Sequence, residues 1–300
     1  MKSRRNKIKK IHFVGVKGVG LAPLALIAKQ AGFEVTGSDV SEEFITDQEL
    51  VSAKVKIFKE FDPRNVEGAD LVITTGAHGG FSNIENKKAK EKGIPVISQA
   101  EALGRFMEGN ILGRKFEGIV VCGSHGKTTT TAMLSTVLSE NGLDPSFAIG
   151  TGSVPSLGAS GRFGAGKYFI AEGDEYVVDI ENDRTPKLLL LRPKYIIVTN
   201  VDFDHPDVYK STDEIREVLL KFANTLPEDG FLIACGDSLE DKKLLDSYQG
   251  KKISFGMSSS NDIHIKRVSM NEEQMFFWVE SGSTMLGEFS IQVFGEQNAT

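Results

Sequence analysis

The residues best suited to chemistry lie in the segment Val120–Thr131, "VVCGSHGKTTTT". Gly123 and Gly126 form a glycine turn after an apolar run, and Lys127 and four threonines follow. Backbone N–H groups of such a turn and the positive end of the next helix face an anion, while lysine and threonine meet phosphate oxygens and Mg²⁺. The common phosphate loop has a glycine where this chain has Val121. A helix that merely starts at a threonine cap is the alternative, but the preceding strand and the threonine run favour a nucleotide site.

A second glycine loop, "GVKGVG", lies near the N-terminus and also suits an anion. Gly15, Gly18 and Gly20 follow an apolar run and precede a helical pattern, and Asp39 lies about twenty residues farther on. This context is typical of a dinucleotide site, although the spacing is G-x-x-G-x-G instead of G-x-G-x-x-G. From the residues alone, a nicotinamide dinucleotide and another diphosphate ligand both remain open.

Acidic residues and a histidine follow two further apolar runs. Glu172 lies in "IAEGDE" and His205 in "VDFDHPD", and doubly wound sheets bind ligands at the carboxyl ends of their strands. Oxygen ligands suit Mg²⁺, which phosphoryl transfer from ATP requires. Each segment alone is typical of a solvated turn, so only their order after the phosphate loop favours a metal site. His78, in "GAHGG", also follows a predicted strand end and could contact a substrate.

These residues require parallel sheets with helices on both faces. In the first hundred residues, "KIHFVGV", "FEVTGSD", "DLVITTG" and "IPVIS" predict strands that alternate with helical patterns. The pattern weakens over residues 100–117, and a second α/β unit then begins with "GIVVCG". Residues 150–167 are rich in glycine and serine and predict a surface loop. After residue 252, short alternating runs predict an antiparallel meander.

Composition narrows the class of protein. The 300 residues suffice for about two domains. A net charge of −6 argues against a general nucleic-acid binder, and the sequence has no apolar run long enough to span a membrane. Two cysteines, Cys122 and Cys235, give neither a disulfide framework nor a metal-ligand set. We therefore expect a cytoplasmic protein with small-molecule partners, and its basic N-terminus is interpreted as a solvated extension.

The motif "GSHGKTTTTAM" closely resembles the Mur ligases, the ATP-dependent amide ligases of peptidoglycan precursor synthesis. The family has a shortened phosphate loop, here with Ser124 in place of the commoner threonine. The segments "IHFVGVKGVG", "VTGSD", "IPVISQAEAL", "GLDPSF", "AEGDEY" and "TNVDFDH" agree with it in order. The resemblance implies a Rossmann-like UDP-sugar-binding domain over residues 1–107. It also implies a central P-loop ATPase-like α/β domain with an antiparallel extension over residues 108–300.

The resemblance also implies roles for individual residues. Lys127, Glu172 and His205 would be catalytic, and Thr128, Glu172 and His205 would hold Mg²⁺. The UDP-sugar would contact Gly15, Gly18, Gly20, Ser38 and Asp39. ATP would contact Gly123, Ser124, His125, Gly126, Lys127, Thr128, Thr129, Asn200 and Asn298.

The implied activity is an ADP-forming ligation of L-alanine to UDP-N-acetylmuramate through an acyl phosphate, with ATP and Mg²⁺. The family's third domain is expected to be absent, and Gln297 stands where histidine is common. The long segment "EYVVDIENDRTPKLLLLRPKY" resembles the recycling ligases that attach a whole murein tripeptide, so that acceptor stays an alternative. Two alternatives from other functional classes stay open. One is a non-catalytic UDP-sugar or ATP-binding module. The other is an NAD(P)-dependent oxidoreductase, which the motif "GSHGKTTTT" disfavours because such an enzyme needs no second phosphate loop.

Overall fold

The computed structural model describes residues 8–271 and 274–292. The chain forms two compact units, one from residues up to 118 together with 131–192, the other from 119–130 and the residues after 192. Within the described residues, no helix has the length and apolar character needed to cross a bilayer. The domain boundary at residues 107 and 108 stays a prediction.

The first unit contains a five-stranded parallel sheet of order β3-β2-β1-β4-β5. Its strands include near-continuous apolar runs, as expected for a parallel sheet buried on both faces. Strand β3 was not predicted, because three residues beginning with a lysine carry no clear pattern. The strands of this sheet and the helices between them are β1 (Lys10–Val14), α1 (Ala22–Gln30), β2 (Glu34–Ser38), α2 (Asp47–Ser52), β3 (Lys56–Phe58), β4 (Leu71–Thr74), α3 (Ile84–Glu91), β5 (Val96–Ser98) and α4 (Gln99–Met107).

Local signals explain where these helices begin and end. Pro23 lies in the first turn of α1, where its missing N–H costs nothing, and Gly32 follows the helix with φ +91°. The side chains of Asn83 and Ser98 accept backbone N–H groups at the starts of α3 and α4. Helix α4 occupies part of the region where the sequence pattern weakened.

The phosphate-loop segment lies between strand β6 (Glu117–Cys122) and helix α5 (Lys127–Glu140). The rest of the first unit adds β7 (Ser146–Ala148), β8 (Gly161–Arg162), β9 (Tyr168–Glu172), β10 (Val177–Asp179) and β11 (Asp183–Pro186). Strand β7 pairs with β9 in parallel and with β8 in antiparallel orientation, and β10 and β11 form a hairpin. The interpretation of residues 150–167 as a surface loop was therefore wrong in part. A side chain at Gly161 would collide with the Pro23 backbone, so the small residue allows close packing.

The second unit continues from β6 into a mixed sheet of order β6-β12-β13-β14-β15-β16-β17. Neighbours from β6 to β15 are parallel, whereas β15, β16 and β17 form the predicted antiparallel meander. The predicted α/β fold is confirmed. The elements are β12 (Tyr195–Val198), α6 (Thr212–Ala223), β13 (Phe231–Cys235), α7 (Leu239–Ser247), β14 (Lys252–Gly256), β15 (Ile263–Met270), β16 (Met275–Ser281) and β17 (Thr284–Ile291).

Two candidate nucleotide sites

The phosphate loop of the second unit turns on two glycines with positive φ. Gly123 has φ +118°, and a Cβ there would lie 2.5 Å from Thr199 Oγ1 and 2.7 Å from the Asn200 carbonyl oxygen. Gly126 has φ +81°, and a Cβ there would have no neighbour within 4 Å among the described residues. Gly123 is therefore glycine because the loop packs tightly, whereas Gly126 leaves an open face over which a ligand can approach.

Asn200, after β12, holds the loop through its side chain. Its Oδ1 accepts the His125 N–H at 2.9 Å, and its Nδ2 donates to the His125 carbonyl at 3.0 Å. The hydroxyl of Thr199 donates to the same carbonyl at 2.6 Å. The Asn200 backbone carbonyl accepts the Ser124 N–H at 3.2 Å. These hydrogen bonds fix the backbone of the loop.

Lys127 begins helix α5 and extends over the loop. Its Nζ donates to the carbonyl oxygens of Gly123 at 2.8 Å and Ser124 at 3.2 Å. The first turn of α5 contains no acidic residue, so the positive end of the helix dipole is not offset there. Thr128 and Thr129 follow in the same turn. This arrangement concentrates positive charge and N–H donors, as a phosphate site requires.

Hydrogen bonds from Ser124 and Asp241 anchor the segment after β12. The Ser124 hydroxyl donates to the Asp202 carbonyl at 2.7 Å and accepts the Asp202 N–H at 2.9 Å. Buried Asp241 accepts the Val201 N–H at 2.7 Å and a hydrogen bond from the Ser238 hydroxyl at 2.6 Å. Burial raises the pKa of Asp241 although these hydrogen bonds oppose the shift. Asp241 was not found from the sequence because its contacts join distant segments.

The three predicted metal ligands divide between the two units. Thr128 and His205 belong to the second unit, and Glu172 belongs to the first. His205 has φ +54°, and its Nε2 lies 3.8 Å from Asp204 Oδ2. Glu172 ends β9 and accepts the Gly150 N–H at 2.7 Å. Their shared role as metal ligands stays a prediction, and the predicted adenine contact Asn298 lies outside the described residues.

In the first unit, the glycine loop connects β1 to α1. Gly15 has φ +83°, and its N–H and that of Val16 both donate to the Ser38 carbonyl. A Cβ at Gly15 would lie 2.5 Å from Thr75 Cγ2, so this position is packed against the segment after β4. Gly18 is half-buried and Gly20 is exposed, which leaves the far side of the loop open to a ligand.

Asp39 stabilises this loop from the end of β2. Its Oδ2 accepts the Lys17 N–H at 2.7 Å, and its Oδ1 accepts the Val40 N–H at 2.8 Å. The carboxylate is 1% exposed. The Lys17 ammonium is directed away from the open face, because it donates to the Glu42 carbonyl at 2.7 Å and lies 3.4 Å from Asp47.

A buried polar network lies beneath the glycine loop. Ser38 donates to Glu85 Oε2 at 2.5 Å, and His12 Nε2 lies 3.0 Å from the same oxygen. His12 Nδ1 lies 2.8 Å from Thr36 Oγ1. Burial alone would raise the pKa of Glu85, but hydrogen bonds with His12 and Ser38 outweigh burial and lower it. Because the hydroxyl of Ser38 is used internally, this residue shapes the loop through its backbone.

A cavity of about 500 Å³ lies at the carboxyl end of β3. The Asp39 N–H donates to the Phe58 carbonyl at 3.0 Å, which links this cavity to the segment after β2. An ion pair lines this cavity, with Arg64 2.6 Å from the Asp62 carboxylate, and hydrogen bonds from Arg64 lower the pKa of Asp62 to about 2. Sequence reasoning missed the cavity because β3 was not predicted. It is lined by Phe58, Lys59, Glu60, Asp62, Arg64 and Asn65.

Comparison with known proteins finds relatives of both parts of the chain. Residues 10–110 match the family described as "Mur ligase family, catalytic domain", and residues 121–300 match the "Mur ligase middle domain". UDP-N-acetylmuramate–L-alanine ligases from Desulfitobacterium hafniense and Syntrophotalea carbinolica are 36% and 37% identical over 289 and 292 residues. These alignments cover 96% and 97% of this chain, and the chain spans about 60% of the length of those relatives.

Two solved structures each align to 97% of this chain with 26% identity. UDP-N-acetylmuramate:L-alanyl-gamma-D-glutamyl-meso-diaminopimelate ligase from Neisseria meningitides gives a TM-score of 0.82 over 90% of its own chain. UDP-N-acetylmuramate-alanine ligase from Thermotoga maritima gives 0.78 over 63% of its own chain. Since the middle-domain match alone covers more than half of the residues, this protein belongs to the Mur ligase family.

Proposed function

We propose that this chain is the UDP-sugar-binding and ATP-binding part of an ADP-forming ligase. The ligase joins L-alanine to UDP-N-acetylmuramate in the cytoplasm, during synthesis of the peptidoglycan precursor. The observation that carries the proposal is that each unit has a hydrogen-bonded glycine loop between a parallel strand and the start of a helix. Relatives named UDP-N-acetylmuramate–L-alanine ligase align to nearly the whole chain and support this choice.

The glycine loop of the first unit is proposed to bind the diphosphate of the sugar nucleotide. Gly18 and Gly20 allow close approach of the phosphates, while Gly15, Ser38 and Asp39 hold the loop in shape. The uridine is proposed to extend toward the cavity at the end of β3, which is joined to Asp39 through the backbone of Phe58. A ligand would thus follow the carboxyl ends of β1, β2 and β3, where such sheets bind nucleotides.

The phosphate loop of the second unit is proposed to bind ATP. Backbone N–H groups from Gly126 to Thr129 and the helix dipole of α5 would face the phosphates. Lys127, which donates to two loop carbonyls, would exchange those contacts for phosphate oxygens. Asn200 stabilises the loop by hydrogen bonds to the backbone N–H and carbonyl of His125.

The proposed reaction has two steps. A carboxylate oxygen of UDP-N-acetylmuramate attacks the γ-phosphorus of ATP, so that a new P–O bond forms, ADP leaves, and an acyl phosphate results. The amine of L-alanine then attacks the acyl carbon, loses a proton, and expels inorganic phosphate as the amide forms. Because carboxylate and ATP are both anions, the residues act by neutralising charge and aligning the reactants.

Mg²⁺ would supply positive charge that offsets the negative charge developing during phosphoryl transfer. The donor types fit this ion, since Thr128 offers a hydroxyl oxygen and Glu172 a carboxylate. His205 is proposed as a further ligand. The Glu172 carboxylate also accepts the Gly150 N–H, which limits its rotation.

A murein tripeptide is the second candidate for the incoming amine. The similar structure from Neisseria meningitides is titled as a ligase for L-alanyl-gamma-D-glutamyl-meso-diaminopimelate, and it supports this alternative. The two acceptors differ in size and charge, so a turnover assay separates them. A non-catalytic UDP-sugar or ATP-binding module would bind both nucleotides without turnover.

The test is calorimetric titration of the wild type, Lys127→Ala and a matched control, Lys221→Ala, which changes an exposed lysine in the last turn of α6. We expect Lys127→Ala to lose ATP binding and to keep binding of UDP-N-acetylmuramate, whereas Lys221→Ala keeps both. Equal loss of both ligands in Lys127→Ala would contradict the division of roles. ADP release is then measured in a protein extended to the length of its relatives. Release that depends on L-alanine supports the proposal, and release that depends only on tripeptide supports the second candidate.

A further inference from the structure

The segment after β4 holds His78 in an unusual conformation. His78 has φ +54°, in the left-handed region that few residues other than glycine adopt. The side chain of Asn83 fixes this conformation by donating to the His78 carbonyl at 3.1 Å. Residues held in such conformations by their surroundings cluster at ligand sites. The conformation therefore raises the question of what the imidazole does.

The His78 ring lies beside the glycine loop. Its Nε2 is 3.6 Å from Asp39 Oδ1, and its Cδ2 is 3.7 Å from where a Cβ on Gly15 would stand. One side of the ring is held by Phe61, at 5.3 Å between centroids. About a third of the side chain, 32%, remains exposed. The ring is thus fixed in position and still accessible to a ligand.

A hydrogen bond to Asp39 does not account for this placement. At 3.6 Å, the separation of His78 and Asp39 exceeds a hydrogen bond. Both oxygens of Asp39 already accept backbone N–H groups, from Lys17 and Val40. A ring that served only to support Asp39 would be expected at hydrogen-bond distance.

The position in the sheet favours a ligand contact. Strand β1 lies between β2 and β4, so the order of strands reverses between β1 and β4. Ligands of such sheets bind in the crevice at this reversal, outside the carboxyl ends of the strands. The glycine loop follows β1 on one side of the crevice, and His78 follows β4 on the other.

The β10–β11 hairpin clamps the segment that carries His78. The Asp179 carboxylate accepts the Phe81 N–H at 3.2 Å and also binds the Asn182 side chain at 2.9 Å. A Cβ at Gly80 would collide with this carboxylate, and a Cβ at Gly76 would lie 2.5 Å from the Val178 carbonyl oxygen. The hairpin belongs to the long segment "EYVVDIENDRTPK", for which the sequence offered no structural role.

We propose that His78 contacts the substrate by donating a hydrogen bond from its imidazole to a phosphate oxygen of the nucleoside diphosphate at the glycine loop. The β10–β11 hairpin is then a positioning element, which holds the segment from Gly76 to Phe81 so that the imidazole faces the crevice. This inference rests on the proposed function, because it assigns a further contact to the same ligand. It also connects two features of the sequence, "GAHGG" and the segment that forms the hairpin.

The test compares UDP with uridine, which lacks the phosphates. His78→Asn removes the imidazole but keeps a residue that tolerates left-handed backbone. His264→Asn, in β15, is the matched control. We expect His78→Asn to weaken UDP binding about tenfold, as for the loss of a hydrogen bond to a charged group, and to leave the weaker binding of uridine within about twofold of wild type. Thermal unfolding of each variant verifies that it is folded.

Each result has a defined meaning. If the wild type binds neither UDP nor UDP-N-acetylmuramate, the proposed function fails and this inference falls with it. If the wild type binds UDP and His78→Asn binds it equally well, only the role of His78 is overturned. Equal weakening of UDP and uridine would mean that His78 is merely structural, which also overturns the inference. Asp179→Asn, which disturbs the clamp, should weaken UDP binding by less than His78→Asn, and an unchanged affinity would refute the positioning role of the hairpin.

Discussion

Replacing Asn200 by alanine tests how the phosphate loop is preorganised. The side chain of Asn200 makes two hydrogen bonds to the backbone of His125, accepting its N–H at 2.9 Å and donating to its carbonyl at 3.0 Å. Both disappear in Asn200→Ala, while the backbone contact from Ser124 to the Asn200 carbonyl remains. The loop keeps its sequence, its lysine and the hydrogen bond from the Thr199 hydroxyl to the His125 carbonyl, but its central peptide is held by fewer contacts. A nucleotide must then order the loop as it binds.

The magnitude follows from those two bonds. Each is worth about 0.5–1.5 kcal/mol net, so the cost of reordering the loop is about 1–3 kcal/mol. That range corresponds to about a 5- to 150-fold loss of ATP affinity. His125 is exposed, and exposed hydrogen bonds compete with water, so we expect a result in the lower half of the range.

The assay is a calorimetric titration of ATP into the wild type, Asn200→Ala and Asn224→Ala. Asn224 is an exposed asparagine at the end of α6 in the same unit, and it serves as the matched control. UDP-N-acetylmuramate is titrated in parallel and should bind all three proteins alike. An ATP affinity of Asn200→Ala equal to that of the wild type would refute the reasoning, because the loop would then need no support from Asn200.

Three further predictions follow from particular contacts. Gly123→Ala should destabilise the protein by about 2–5 kcal/mol, because alanine is strained at positive φ and its Cβ would overpack against Thr199. Gly126→Ala should cost only about 1–2 kcal/mol, because only the strain at positive φ applies there. Similar melting temperatures for the two variants would contradict this prediction. Because the pKa of Glu85 is lowered in the folded state, its contribution to stability is present above the ordinary carboxyl pKa and is lost as pH falls through the lowered value. Urea unfolding between pH 7 and pH 3 should therefore show a steeper acid loss for the wild type than for Glu85→Gln, and parallel curves would be inconsistent with the buried network. Burial raises the pKa of Cys235 to about 11, so only about one Cys235 thiol in a thousand is ionised at pH 8. A thiol reagent should therefore modify Cys235 slowly in the native protein and rapidly in urea. Equal rates would contradict the burial of this thiol.

Much of the fold was predictable because its elements carry strong local signals. The apolar runs before Gly15 and Gly123 predicted β1 and β6. The meander was predictable from its period-2 alternation, although β14 pairs in parallel with β15. Strand β3 was missed because three residues are too few to show a period.

The candidate sites were predictable only in part. Lysine and glycine types mark the phosphate loop, but the clamp that Asn200 places around His125 depends on the pairing of β6 with β12. The network of Ser38 and Glu85 joins residues 47 positions apart, so no local pattern reveals it. The contact of Asp179 with the segment after β4 could not be predicted either, because it joins residues 98 positions apart. Local sequence shows which residues are chemically able, and tertiary pairing decides which of them meet.

The central claim is that the glycine loop of the first unit binds a UDP-sugar and not a dinucleotide. The most direct measurement is calorimetric titration of this chain with UDP-N-acetylmuramate, with NADH as the parallel ligand. We predict saturable binding of UDP-N-acetylmuramate and no binding of NADH. Binding of NADH without binding of UDP-N-acetylmuramate would contradict the claim.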